Sequence, residues 1–317
     1  MSKPTAVRLG VSACLLGEHV RFDGGHKRDP FLTESLGRFV EWVPVCPEEE
    51  AGFGTPREAM RLVRAADSEV RLRTVRSQRD LTSELRAHSV ARACALAAAD
   101  LDGFVLKKDS PSCGLTRVKV YDPNGVATRS GRGLFADALC TRLPLLPVEE
   151  EGRLHDPAIR EHFIERVFAY RRLRGVLVRG VHVSELVRFH TRHKLQLLAH
   201  SPTMYAELGR MVARGRDAAA LASEYGNRFM AALAVPTTRG RHSNVLQHMA
   251  GYLRELLSRE ARNDVANAIS EYQNALVPLV TPLRVIAHYT TVHQVRYLAE
   301  QVYLDPYPKE LMLRNHA

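Results

Sequence analysis

The apolar pattern of this 317-residue chain changes its period near residue 156. Before that point, short runs of strand length alternate with helix-like stretches: Ala6-Val7-Arg8-Leu9-Gly10-Val11, then Pro30 to Val40, then Trp42-Val43-Pro44-Val45. Asp80 to Leu101 is the longest helical stretch, with Thr82 as its cap, and Gly103-Phe104-Val105-Leu106 follows as a further strand. Val118-Lys119-Val120-Tyr121 and Leu145-Leu146-Pro147-Val148 are weaker strand runs around the helix-like Gly133 to Leu143. This alternation predicts an α/β N-terminal domain with a Rossmann-like open sheet.

From Asp156 onward strand signals fade. Helical periodicity runs through Ala158 to Arg174, Val183 to His200, Pro202 to Arg214, Asp217 to Ala234, Asn244 to Arg262 and Thr281 to Tyr303. Ser201-Pro202 is a helix start, because a serine side chain satisfies free N–H groups and proline fits the first turn. The expectation is two domains: residues 1–155, α/β, and residues 156–317, all-α. The linker is placed near residues 149–160, where Glu149-Glu150-Glu151-Gly152 is acidic and the apolar pattern lapses.

Charge divides along the same line. Residues 1–170 carry 25 Lys and Arg against 24 Asp and Glu, whereas residues 171–317 carry 20 against 11, a net of +9. Such an excess suits a polyanionic partner, since phosphates are neutralised by cationic side chains with release of counterions. Equally, arginine-rich helices are often merely well solvated. No segment approaches the ~18 uninterrupted apolar residues of a membrane span, and no leader-like N-terminal run is present, so the expectation is a soluble, cytoplasmic protein without a membrane partner.

Five cysteines, odd in number and widely spread, argue for thiolate chemistry over a disulfide framework. In an open α/β sheet, ligands bind beyond the carboxyl ends of the strands. Three cysteines occupy that address: Cys14 after the first strand, Cys46 after the second, and Cys113 beyond Val105-Leu106. Three converging thiolates suit a zinc site lacking one ligand, or a cubane cluster with one iron left without a protein ligand. They also suit three unrelated buried cysteines, as Cys94 and Cys140 inside apolar helical runs do.

Five segments, in order, resemble the thiouracil desulfidase family: Val11-Ser12-Ala13-Cys14-Leu15-Leu16-Gly17, Arg21-Phe22-Asp23-Gly24, Val45-Cys46-Pro47-Glu48, Gly52-Phe53-Gly54-Thr55-Pro56-Arg57 and Ser110-Pro111-Ser112-Cys113-Gly114. The resemblance covers residues 5–150. It implies a [4Fe-4S] cluster held by Cys14, Cys46 and Cys113, an open iron that takes the sulfur of a thiolated pyrimidine, and a non-redox removal of that sulfur. The second half is similar to the helical domain often fused to this desulfidase, and the fused forms resemble enzymes that act on 4-thiouridine in tRNA. The expected partner is therefore tRNA carrying 4-thiouridine, and the expected products are uridine and sulfide. A free thiopyrimidine substrate, or a non-enzymatic cluster-carrying RNA-binding protein, are the alternatives.

Within that frame Glu48, two residues beyond Cys46, is the candidate base that takes a proton from water. Ser110 is the candidate donor to the sulfur or relay to the leaving group, with Ser112 competing for that role. Both serines are also ordinary turn residues beside Pro111. Lys107 and Lys108 are candidate contacts for substrate phosphate or the cluster thiolates. In the helical domain His190 and His193, with His200 two turns on, are expected to pack, hydrogen-bond or contact phosphate rather than bind metal. Arg188, Arg192, Arg210, Arg214 and Arg216 fit an RNA backbone surface, and the aromatics between them are too few to identify a stacking platform. A base inside folded tRNA would have to be extruded to reach the crevice.

Overall fold

A computed structural model describes residues 7–177, 182–214 and 218–315 of the chain. The chain divides into two compact units, Met1–Ile159 and Arg160–Ala317.

The first unit is built on a four-stranded sheet of β1 (Val7–Ser12), β2 (Val40–Val45), β5 (Gly103–Leu106) and β8 (Val148–Glu150), all parallel, in the order β2-β1-β5-β8. The central strands are nearly continuous apolar runs, as a sheet covered on both faces requires; every residue of β5 is buried. Close packing is possible at Gly10 because it has no side chain, since a Cβ there would lie 2.1 Å from the ring of Phe104. That ring meets Phe135 edge-on at 5.7 Å between centroids. The helices are α1 (Pro47–Glu50), α2 (Thr82–Ala97) and α3 (Leu134–Arg142), with α2 packed along α3.

A second sheet, not anticipated from the sequence, joins β3 (Met60–Arg64), β4 (Val70–Thr74), β6 (Val118–Tyr121) and β7 (Ala127–Gly131) in the order β4-β3-β6-β7. Strands β3, β4 and β6 interleave apolar and cationic residues, and the inner face is buried through Leu62, Leu72, Val118 and Val120. Other local expectations change as well. Residues expected as a helix from Pro30 form two short turns, Phe31–Ser35 and Leu36–Arg38. Thr82 does not cap α2: its hydroxyl accepts from Leu72 N–H at 2.8 Å, and Asp80 accepts the Thr82 N–H at 3.0 Å. The acidic run expected in a linker is instead β8 and its continuation, where Glu150 and Glu151 are buried.

The second unit is helical: α4 (Pro157–Leu177), α5 (Val183–His200), α6 (Pro202–Arg214), α7 (Ala218–Ala234), α8 (Arg239–Leu253), α9 (Arg259–Gln273), α10 (Val280–Val292) and α11 (Arg296–Ala299). The Ser201 hydroxyl accepts from Met204 N–H at 3.3 Å, as its capping position predicts. The stretch expected as one helix from Asn244 to Arg262 is broken between α8 and α9, where Ser258 caps α9 through Ala261 N–H. The helix expected from Thr281 to Tyr303 likewise stops at Val292 and resumes only as the single turn α11. Helix α5 packs on α6, α7 and α8. His190, His193 and His200 all face inward from it, each with Nδ1 hydrogen-bonded, to Tyr225 Oη, Phe189 O and Val235 O respectively. They are packing and hydrogen-bonding residues, as expected.

Arg188, Arg192, Arg210 and Arg214 are exposed, whereas Arg216 lies outside the described residues. Among the described residues no helix is long and apolar enough to cross a membrane.

Candidate functional site

The chain leaves β1 for β2 on one side and reaches β5 on the other, so the strand order reverses at β1. A crevice opens beyond the carboxyl ends of parallel strands at such a point. Here it is a cavity of about 360 Å³ whose lining includes Cys14, Cys46 and Cys113. Cys14 sits in the single turn Ala13–Leu16 that ends β1, Cys46 is the residue between β2 and α1, and Cys113 lies in the loop after β5. Cys94 and Cys140 belong to α2 and α3 and do not line the cavity.

The three thiols share a field. Burial pushes Cys14 up to about 11, with the neighbouring Cys46 adding to the rise and Lys107 and Arg21 opposing it. Burial likewise raises Cys46 and Cys113, and Cys113 also senses both other cysteines. Three soft donors, crowded and unfavourable as free thiolates, suit a cationic group that would neutralise them. Among the described residues no three His, Cys, Asp or Glu side chains are grouped tightly enough for a single metal ion. The thiols line one cavity, and a group of several metal atoms, unlike a single ion, can take donors that are not gathered around one point.

The Cys113 loop is fixed from two sides. Its carbonyls cap α3: Ser112 O accepts from Phe135 N–H at 2.9 Å and from Ala136 N–H at 3.2 Å, and Pro111 O accepts from Leu134 N–H at 3.2 Å. A side chain at Gly133 is impossible without movement, since its Cβ would lie 2.3 Å from Ser112 O. On the other side Glu150 accepts from the N–H groups of Leu115 and Thr116 at 2.8 and 3.3 Å. Glu151 accepts from Lys107 Nζ at 2.5 Å and Lys108 N–H at 2.7 Å. Lys107 and Lys108 both line the cavity, and the Lys107 ammonium is tied to Glu151 there.

A line of polar side chains runs along the wall. Ser110 Oγ accepts from the N–H groups of Ser112 and Cys113 at 3.2 and 3.1 Å, which leaves its hydrogen for Ser112 Oγ, 2.9 Å away. Ser112, 1% exposed, gives its own hydrogen to Glu48 Oε1 at 2.5 Å. Glu48 Oε2 is held by Arg57 through Nε at 2.9 Å and Nη2 at 2.5 Å. Arg57 also donates to Val20 O at 3.0 Å and Gly54 O at 2.8 Å, binding the loop after Cys14 to the turn after α1. Arg57 closes the Gly52 to Arg57 motif, but nothing in its neighbours foretells a partner nine residues back and another 37 back. The Ser12 hydroxyl, likewise without a role foretold by the sequence, accepts from Lys107 N–H at 2.9 Å and works against the rise that burial imposes on Cys113.

Residues 9–151 match the family model described as 2-thiouracil desulfurase, and residues 194–308 match one described as a protein of unknown function, DUF1722. Over 153 residues the chain is 31% identical to the uncharacterized protein YbgA of Escherichia coli (strain K12), covering 47% of this chain and 90% of that protein. Over 112 residues it is 33% identical to the uncharacterized protein YbbK of Bacillus subtilis (strain 168), covering 33% of this chain and 71% of that protein. Among solved structures, the [4Fe-4S]-dependent thiouracil desulfidase TudS is 30% identical, with a TM-score of 0.39 over 49% of this chain and 97% of that one.

Proposed function

We propose, since residues 9–151 belong to the 2-thiouracil desulfurase family, that the chain is an iron-sulfur-dependent desulfidase that converts 4-thiouridine in tRNA to uridine. The observation that carries this reading is the convergence of Cys14, Cys46 and Cys113 on one cavity beside a hydrogen-bonded Ser110-Ser112-Glu48 line. The three cysteines would hold a [4Fe-4S] cluster. Such a cluster, with one iron not held by the protein, supplies a Lewis-acid position for a soft sulfur atom.

The reaction is a hydrolysis: 4-thiouridine and water give uridine and hydrogen sulfide, with no net electron transfer. The water must lose one proton as it adds to C4 and its second as the carbonyl forms, and the departing sulfur takes up both. Glu48 is the acceptor, held by Arg57 on one oxygen and reached by Ser112 on the other. Ser112 is a relay rather than a substrate contact, because its hydroxyl is buried and committed to Glu48. Ser110 ends the line on the cavity and returns the proton to sulfur. Lys107 and Arg21 offset negative charge around Cys14. Lys108 lines the cavity with its N–H already given to Glu151, leaving its ammonium for a substrate phosphate.

The exposed arginines Arg188, Arg192, Arg210 and Arg214, in a half with a net charge of +9, support tRNA over a free base. Anaerobic incubation of reconstituted protein with tRNA bearing 4-thiouridine, followed by nucleoside analysis, tests the proposal. Loss of thiouridine with matching sulfide release is the expected result. Intact thiouridine over an intact cluster would overturn it, and turnover of free thiouracil alone would move the substrate to the free base.

A further inference from the structure

The helical unit carries tyrosines that the chemistry above does not use. Tyr252 on α8 is 52% exposed, although its ring is large and apolar. It stacks on Tyr297 of α11, with centroids 4.7 Å apart and planes tilted by 35°. Burial raises Tyr297, and both Tyr252 and Tyr205 of α6 add to the rise. Three helices distant in sequence thus bring three tyrosines to one surface. Tyr252, ring against ring with Tyr297, keeps about half of its surface in solvent.

Beside this stack lies a cationic cluster. Arg296, next to Tyr297, pairs with Glu300 at 2.8 Å. Across from it Arg192 of α5 reaches Glu300 O at 3.5 Å. Arg296, Arg188 and Arg192 together hold the Glu300 carboxyl below its usual range, Arg296 first by its hydrogen bond. One carboxylate therefore faces three guanidinium groups. The surplus is two positive charges next to a stacked aromatic pair.

We infer that this surface is a stacking platform for unpaired nucleotides of an RNA, with a base laid on the exposed ring of Tyr252 and the adjoining phosphates on Arg188 and Arg192. Every base has a π-face that continues an aromatic stack, and a guanidinium pairs with a phosphate through two parallel hydrogen bonds. A double helix offers no free base to stack, so the platform selects looped or extruded nucleotides over duplex. This rests on the reading that the chain acts on tRNA and assigns a place on the helical unit where the tRNA is gripped.

The test is binding of a fluorescein-labelled, unthiolated tRNA transcript to the full-length chain across a salt series. Tyr252→Ala weakens binding about 5- to 100-fold, whereas Tyr252→Phe, which keeps the ring, stays within about twofold of the parent. Arg188→Ala with Arg192→Ala flattens the slope of log affinity against log salt by about one for each phosphate no longer neutralised. A single-stranded oligonucleotide competes, and a blunt duplex of equal phosphate count competes less well. Unchanged affinity in both Tyr252→Ala and Tyr297→Ala overturns the platform. So does a change of association state with unchanged RNA affinity, which would show that a second copy of the chain covers this face. Parent protein that binds tRNA but leaves thiouridine intact defeats the desulfidase reading alone, and parent protein that binds no tRNA defeats both.

Discussion

Arg57 holds Oε2 of Glu48 through two nitrogens, at 2.9 and 2.5 Å, and leaves Oε1 to the hydroxyl of Ser112. Both side chains are largely buried, at 7% and 12% exposure. The carboxylate is held in one orientation, so the oxygen that reaches the serine line is fixed by a residue with no part in proton transfer. Removing one partner of a buried pair strands the other, at a cost of roughly 3–5 kcal/mol. Arg57→Ala is therefore expected to lower the denaturation midpoint and the turnover rate together. Arg57→Lys, which restores charge but not the two-nitrogen grip, recovers stability more than turnover. Chemical denaturation beside single-turnover kinetics separates the two effects.

The five cysteines should behave as two classes. Replacing Cys14, Cys46 or Cys113 with alanine removes a cavity-lining thiol, and iron and sulfide content measured anaerobically should collapse. Cys94→Ala and Cys140→Ala should leave both contents unchanged, since neither thiol lines the cavity. Stoichiometric zinc in place of iron and sulfide would end the desulfidase proposal.

Gly133 offers a test remote from the chemistry. Its Cβ would sit 2.3 Å from Ser112 O and 2.9 Å from Cys113 N, so Gly133→Ala must push the Cys113 loop off the start of α3. The expected outcome is weakened cluster retention and a loss of stability in the overpacking range, about 1–3 kcal/mol. Iron content after gel filtration and a urea titration read the two effects. Unaltered values in both would mean that the loop position is not what holds the cluster.

The helical unit should be acid-labile. Burial lowers His162 and His190 to about 4, and His193 and His242 to about 3, against about 6.5 in an unfolded chain. Below pH 6.5 the unfolded state takes up protons that the folded state refuses. Stability is thus fully present above that pH and falls as the solution is acidified toward pH 4. Each histidine contributes on the order of 1 kcal/mol of loss by pH 5.5. Hydrogen exchange of the α5 amides at pH 7.5 and 5.5 checks this, and His193→Phe should shallow the pH dependence.

β1 and β5 are legible because they are buried apolar runs with no competing pattern, and a cysteine follows each, Cys14 two residues past β1 and Cys113 seven past β5. The second sheet was not legible, for the opposite reason. Met60-Arg-Leu-Val-Arg64 and Val70-Arg-Leu-Arg-Thr74 each bury only one or two side chains, so their period-2 signal is short and heavily cationic. Helix α9 was also missed: its inward residues Val265, Ala268, Ile269 and Tyr272 are sparse among polar neighbours, although Ser258 marks its start. Within the site, Glu48 and the serines could be singled out by nearness to a cysteine. The grip of Arg57 could not, because it depends on how loops distant in sequence fold over one another.

The reversal of strand order at β1 bears on the protein's biogenesis. A nascent chain that has emerged only as far as β2 exposes two of the three thiols, and Cys113 takes its place only after β5 and α3 have formed against the sheet. No short peptide of this chain gathers the full set. On the desulfidase reading, a cluster held by all three thiols would therefore require a finished N-terminal unit, and bound iron would report a completed sheet.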